Sequence, residues 1–342
     1  MILLVLLAPG CNLARRLTPA PLPVVSPTVK DITTSTPAPM PSDLVWFAPN
    51  MGSSDYVALF TKPEQWETAR SKIDVFKFYT QNVMDDPCPI CAGNTLGKLV
   101  DAHAFQILVQ DDIAVAVEVG AVKEWGCTSD ITYGVAQTVI RNIQAHGGTV
   151  AFLAMDEPLF GGRIEVNNTT CDYQMEQTAG VTADFTGRVN TAYPQMIIGD
   201  IEPYPEFSVP ELERWLLTLQ ADDAKPAFFH IDVDMERVRV ENRDIKGDLR
   251  SLSQFCLAQG IPFGVIFTST WGAAGSDHSY YDSTMIWIRT VNEAIGKPQQ
   301  VIFQSWQGPA KDGFNEVPVN LPEADLYSHT RLLLDGLAVF GR

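Results

Sequence analysis

The feature that most limits what this chain can fold into is an alternation repeated eight times between residues 44 and 342. Short apolar runs, rich in β-branched and aromatic residues, stand at 44–50 (LVWFAPN), 73–79 (IDVFKFY), 113–120 (IAVAVEVG) and 149–158 (TVAFLAMDEP). Four more follow at 196–203 (MIIGDIEP), 227–234 (AFFHIDVD), 262–270 (PFGVIFTST) and 301–306 (VIFQSW). Their length and composition favour strands over helices. Near-continuous apolarity implies cover on both faces, as in a parallel sheet.

Between the runs lie segments with helical spacing. SVPELERWLLTLQ opens with Ser208, Pro210 and Glu211, the pattern of a capping box. DITYGVAQTVIRNIQAHGG stops at Gly147 and Gly148, NRDIKGDLRSLSQFCLAQG at Gly260, and SYYDSTMIWIRTVNEAIG at Gly296. KPEQWETARSKI reads as one helix with Pro63 near its first turn. GNTLGKLVDAHAFQILVQ reads as one helix capped at Asn94 or Thr95. VTADFTGRVNTAY is the weakest pattern, and EADLYSHTRLLLDGLAVFG closes the chain.

Strict strand–helix alternation builds a parallel sheet. Eight units in about 300 residues match a (β/α)8 barrel, so the expected fold is α/β, a single (β/α)8 TIM barrel over 44–342. An open doubly wound sheet would carry a G-x-G-x-x-G turn after its first strand; this chain has APNMGSSDY there. GNTLGK, residues 93–98, is one residue short of a phosphate-loop spacing and lacks Ser or Thr after Lys98.

Residues 1–11, MILLVLLAPGC, form an apolar run too short to span a bilayer. The run resembles the end of a bacterial lipoprotein signal peptide, whose Cys is lipidated after cleavage. Residues 12–43 are rich in Pro, Thr and Ser without periodicity, and read as a disordered, extended linker. This layout implies an exported protein, secreted or held at a bacterial cell surface by a lipid anchor at Cys11. CPIC, Cys88 to Cys91, has a spacing used by zinc and redox sites, but no second pair accompanies it and it lies in a loop. A structural disulfide involving Cys88, Cys91, Cys127 or Cys171 is expected, with Cys256 a buried thiol. The net charge of −17, with no dense basic cluster, argues against nucleic acid as a partner.

A barrel of this kind builds its active site at the C-terminal strand ends. Those ends carry Asn50; Lys77 and Tyr79; Glu118; Asp156 and Glu157; Asp200 and Glu202; His230, Asp232 and Asp234; Ser269, Thr270 and Trp271; and Gln304 and Trp306. Several carboxylates and two Trp around one mouth suit glycoside hydrolysis, in which one acid protonates the leaving oxygen and a second attacks carbon or activates water. Aromatic faces stack on sugars. Crowded acids raise one another's pKa, which keeps one protonated near neutral pH.

MDEP, Met155 to Pro158, resembles the Asn-Glu-Pro signature of the large clan of retaining (β/α)8 glycoside hydrolases, whose Glu is the acid/base. Trp306 is similar to that clan's sugar-platform Trp. The resemblance implies a catalytic role for Glu157. Two departures stand out: Asp156 replaces the Asn, and the seventh run ends IFTSTWG, without the clan's nucleophilic Glu. Glu202, in the second Glu-Pro pair one strand away, is the expected catalytic partner, and HIDVD offers an alternative base. Asn50, Lys77, Tyr79, Glu118, Asp156, Asp200, His230, Asp232, Trp271, Gln304 and Trp306 are the expected substrate contacts. The expected protein is thus an exported, monomeric glycoside hydrolase with a carbohydrate substrate and no cofactor or metal. A non-catalytic carbohydrate-binding lipoprotein and a metal-dependent hydrolase are the competing readings.

Overall fold

The computed structural model describes residues 43–342 except 85–87, 89–90, 124–125, 164–170, 270–274, 306–308, 311–312 and 315–316. The signal-like segment, and the linker before Asp43, lie outside the described residues, as do Thr270, Trp271 and Trp306.

Eight parallel strands close into a barrel in sequence order. They are β1 (Leu44–Ala48), β2 (Val75–Tyr79), β3 (Ala114–Val119), β4 (Val150–Asp156), β5 (Ile197–Tyr204), β6 (Phe229–Val233), β7 (Phe263–Phe267) and β8 (Gln300–Gln304). Closure is direct: all five residues of β1 pair with β8, Leu44 with Gln300 through Ala48 with Gln304. Every one of the eight runs becomes a strand. A short hairpin of β9 (Pro309–Ala310) and β10 (Gly313–Phe314) follows β8.

The helices form the outer layer. In chain order they are α1 (Ala58–Thr61), α2 (Glu67–Arg70), α3 (Thr80–Val83), α4 (Leu96–Asp101), α5 (Ala104–Gln110), α6 (Ser129–Ala145) and α7 (Pro158–Arg163). Then come α8 (Met175–Ala192), α9 (Val209–Ala221), α10 (Met235–Val240), α11 (Ile245–Gln259), α12 (Asp277–Ile295) and α13 (His329–Val339). Two segments read as single helices are divided. A 3-10 turn at Pro63–Gln65 precedes α2, and His103, left-handed at φ 54°, separates α4 from α5. The weakest helical pattern belongs to the 18-residue α8. The Ser208–Glu211 box forms as its sequence suggests: Glu211 Oε2 accepts from the Ser208 amide at 2.9 Å.

Strand alternation divides the apolar residues into two cores. The larger lies between strands and helices, with Phe47, Phe76, Leu153, Met155 and Trp215 among its members. The smaller fills the barrel lumen with Trp46, Val75, Ala116, Phe152, Ala154, Ile201, Phe228, Ile266 and Ile302. This division tells which strand-end side chains enter the mouth. Cys88 pairs with Cys91 and Cys127 with Cys171. Cys256 is a buried free thiol.

Candidate active site

Residues two apart on a strand share a face. Val75 and Ala116 face the lumen, so Lys77 and Glu118, two residues on, face it one layer higher. Ala154 carries Asp156 to the same side. Ile201 also faces the lumen, so Asp200 and Glu202 point the other way, toward the helices.

The contacts confirm that parity. Asp200 is fully buried and its Oδ2 accepts from Trp215 Nε1 of α9 at 2.8 Å. Glu202 is also fully buried. Its Oε1 accepts from the Leu159 amide at 2.7 Å and its Oε2 from the Phe160 amide at 3.4 Å. Those donors belong to the first turn of α7, where backbone N–H groups lack helical partners. Burial, then the charge of Asp200, push the Glu202 carboxyl well above the ordinary carboxylate range, while the Leu159 amide pulls it back. Burial likewise raises Asp200. The expected placement of both at the mouth is corrected here: Glu202 and Asp200 lie buried on the outer face of β5, against α7 and α9. Glu202 instead fastens the segment that begins at Glu157.

Glu157 follows the lumen-facing Asp156, so simple alternation would turn it outward. Its backbone instead adopts φ +51°, rare for a residue other than glycine. Its amide continues the sheet by donating to Ile201 O at 3.0 Å, and its carbonyl accepts from Gly161 at 2.8 Å. The left-handed residue brings its carboxylate beside that of Asp156. Both meet Lys123, from the turn after β3: Nζ lies 2.8 Å from Asp156 Oδ2 and 2.9 Å from Glu157 Oε2. All three are partly open, with side-chain exposures of 11% for Lys123, 21% for Asp156 and 15% for Glu157.

Burial dominates the electrostatics of Glu157. It raises the carboxyl, Lys123 opposes the rise, and Asp156 and Asp232 add to it; the result is a pKa of about 7. Burial alone would lower Lys123, but Asp156 and Glu157 outweigh that and raise it, so it stays an ammonium. Asp232, partly exposed on β6, also acts electrostatically on Tyr79 and Tyr280. Its charge therefore reaches both sides of the mouth.

Beneath this lies a second charged group. Lys77, fully buried, donates to Glu118 Oε2 and, at 2.5 Å, to Gln304 Oε1. Burial raises the Glu118 carboxyl, Lys77 lowers it and Asp156 raises it, with a net rise. Tyr79 is buried, and its hydroxyl donates to Ser305 O at 3.1 Å. Asn50 is nearly enclosed, its Oδ1 accepting from the Gly52 amide at 2.8 Å. Lys77, Tyr79, Gln304 and Asn50 thus support the mouth rather than line its open surface, because each polar tip is spent on a protein partner.

His230 is deeper still. It is fully buried, with Nε2 2.7 Å from Gln300 Oε1 and its ring 4.5 Å from Phe228 and 5.0 Å from Trp46. Burial drives its pKa down to about 3, so it is a neutral residue enclosed in the lumen, below the open mouth where a substrate contact was expected. Among the described residues, no group of three or more His, Cys, Asp or Glu side chains could hold a metal ion.

The sequence marked Asp156, Glu157, Glu118 and Asp232, and the fold brings these four acids to one mouth. It did not mark Lys123. A lone Lys after an apolar run carries no signal in sequence; only its approach to residues more than 30 positions away identifies it.

No protein-family model matches the chain, and no curated protein matches it in sequence. Solved structures share its fold. An endo-β1,6-glucanase superposes with TM-score 0.55 at 10% identity, covering 87% of this chain and 76% of its own. A Cellulomonas fimi endo-β-1,4-mannanase double mutant gives 0.53 at 12% identity, covering 86% and 70%. A Streptomyces cattleya GH5_18 structure in complex with GlcNAc gives 0.52 at 9% identity, covering 87% and 80%. The chain therefore has the (β/α)8 architecture found in these glycoside hydrolases, at a divergence where only the fold is shared.

Proposed function

We propose that the protein is a glycoside hydrolase with Glu157 as general acid and Asp232 as the second carboxylate. The observation that carries this reading is Glu157 itself: a left-handed, partly open carboxyl at the end of β4, facing Lys123, Asp156 and Asp232, with a pKa of about 7. A carboxyl poised there is protonated in a large share of molecules at neutral pH yet still transfers its proton readily.

Glu157 gives its proton to the glycosidic oxygen as the bond from that oxygen to the anomeric carbon breaks. A water attacks the anomeric carbon from the opposite face and loses a proton to Asp232. The ionised Glu157 and protonated Asp232 then exchange the proton through solvent, restoring the start. Strands β4 and β6 are separated only by β5. Their backbones therefore lie about 9 Å apart. Direct attack by that water makes the proposed reaction inverting. Glu118 and Asp156, neutralised by lysines, bind sugar hydroxyls at the same mouth.

The two disulfides support an extracytoplasmic location, since such bonds persist in oxidising compartments. Together with Cys11 they support export and surface tethering.

The test is hydrolysis of a panel that starts with β1,6-glucan and β-1,4-mannan, the polymers named for two of the fold's neighbours, and goes on to GlcNAc oligomers. Glu157→Gln should retain sugar binding and thermal stability but lose about 10²–10⁴ in kcat. NMR of the first product should show the inverted anomer. Sugar binding without product would make this a binding barrel instead, and full activity in Glu157→Gln would overturn the assignment.

A further inference from the structure

We propose that Lys123 is a positioning residue of this site, occupying Oε2 of Glu157 so that Oε1 alone presents the proton to the leaving oxygen. The inference rests on Glu157 acting as the general acid. Its geometry is direct. Lys123 Nζ bonds Glu157 Oε2 at 2.9 Å and Asp156 Oδ2 at 2.8 Å. An ammonium holding one oxygen leaves a proton favourable only on the other, because a protonated Oε2 would confront three N–H donors with a fourth.

The turn bearing Lys123 is held on several sides. The Lys123–Gly126 bridge closes it, with the Gly126 amide donating to Lys123 O at 2.9 Å. Helix α7 rests on it so closely that a Cβ on Gly161 would lie 2.0 Å from Val122 O and 3.0 Å from Lys123 Cα. One residue past the turn, Cys127 is disulfide-bonded to Cys171. Tyr173 completes the tie, its hydroxyl donating to Cys127 O at 3.1 Å and its amide to Gly162 O at 2.8 Å. The helix that starts after Glu157 and the turn that supplies Lys123 are thus one assembly. A lysine that merely neutralised surface charge would need none of these fastenings.

The groups acting on Glu157 come from four elements: Lys123 from the turn after β3, Asp156 from β4, Asp232 from β6, and Glu202 from β5, behind the wall. Lys123 is the cation among them, and it also faces Glu118 of β3. Without it, Glu157 would lose the ammonium that fixes its Oε2, and its proton would be free to sit on either oxygen.

The experiment compares wild type, Lys123→Met and Lys123→Arg. Lys123→Met should lose about 10–100-fold in kcat, as for a misaimed catalytic group, with KM nearly unchanged. Its basic limb of kcat/KM should move up by about one pH unit or more, since a lowering charge is gone. Lys123→Arg should restore most of both. Carboxyl ¹³C titration of Glu157, assigned by its loss in Glu157→Gln, reads the same shift without turnover. An unmoved titration in a folded Lys123→Met, or a folded Lys123→Met with wild-type kcat and pH profile, would overturn the proposal. If Lys123→Met does not fold, an unchanged Glu157 titration and kcat in Lys123→Gln would do so. A shifted titration in a protein that hydrolyses no sugar would uphold the Lys123 pairing and sink the hydrolase reading.

Discussion

Glu202 offers a decisive perturbation, because its two possible roles predict opposite results for one conservative change. In the structure both oxygens face amides of α7, Leu159 at 2.7 Å and Phe160 at 3.4 Å, inside a fully buried site. Glu202→Gln keeps a carbonyl oxygen for the shorter bond, so kcat should stay within about tenfold of wild type. A catalytic carboxylate changed to its amide would instead lose about 10²–10⁴. Glu202→Ala is expected to be severe for another reason. It leaves a buried amide donor unsatisfied, costing about 1–3 kcal/mol, and it adds a cavity. The total, about 2–4 kcal/mol, corresponds to a fall in Tm of about 3–6 °C for a protein of this size. Turnover should fall with it, since the segment after Glu157 loses its anchor. The pH dependence of stability gives a second readout. Glu202 titrates well above its ordinary value of 4.5 in the folded protein. The folded state therefore keeps a proton that the unfolded chain has lost, and stability falls as pH rises above 4.5 toward the raised value. Glu202→Gln removes that share, so its stability curve should be flatter on the alkaline side. Calorimetry across pH, with kinetics on the same samples, measures all of this. A Glu202→Gln protein with unchanged Tm and a thousandfold loss of kcat would refute the scaffold role.

Other expectations follow from the same geometry. With Glu157 at about 7, activity should decline as pH climbs past that value, because the general acid ionises; a basic limb near 9 in kcat/KM would contradict it. Gly161→Ala would drive a Cβ against the Val122 carbonyl, displacing either α7 or the Lys123 turn; a fall in both Tm and kcat is expected, and wild-type behaviour would refute the close packing. Cys127 and Cys171 close a loop of 44 residues, so replacing both with Ser should cost about 2–4 kcal/mol in denaturant titration. His329, buried like His230 and pushed to about 3, binds its proton far less readily folded than unfolded; stability should drop as pH falls from 6.5 toward 3, and His329→Phe should lessen that drop. In a Cys11→Ser background, Cys256 should resist thiol reagents until the protein unfolds, being buried with its pKa raised to about 12.

Much of the architecture was legible before any coordinates. Eight apolar runs separated by helical patterns leave few solutions, because each strand needs cover on both faces and each helix must bury one stripe. Local chemistry was equally plain where it closes within a few residues, as in the Ser208–Glu211 cap. The divided helices were harder: nothing in HAFQ announces that His103 takes a left-handed turn, since that choice follows from docking α4 and α5 on the barrel.

The site separates local from long-range information most sharply. The sequence alone determined that Asp156, Glu157, Asp200 and Glu202 end neighbouring strands, and that Asp200 shares a face with Glu202. It did not determine which face is the lumen. A period of two fixes relative sides only; barrel closure and register decide which side is inward. Closure put Ile201 inside, and so sent both acids of the second Glu-Pro pair out against α7 and α9. Glu157 also leaves the ordinary backbone region, which turns a residue due to point outward toward the mouth. Lys123 came to the site through contacts spanning 33 and 34 positions, a distance over which a single sequence carries no pattern. The residue types and their heights on the strands were thus written locally, whereas their direction, charge partners and division into chemistry and scaffold exist only once the barrel closes.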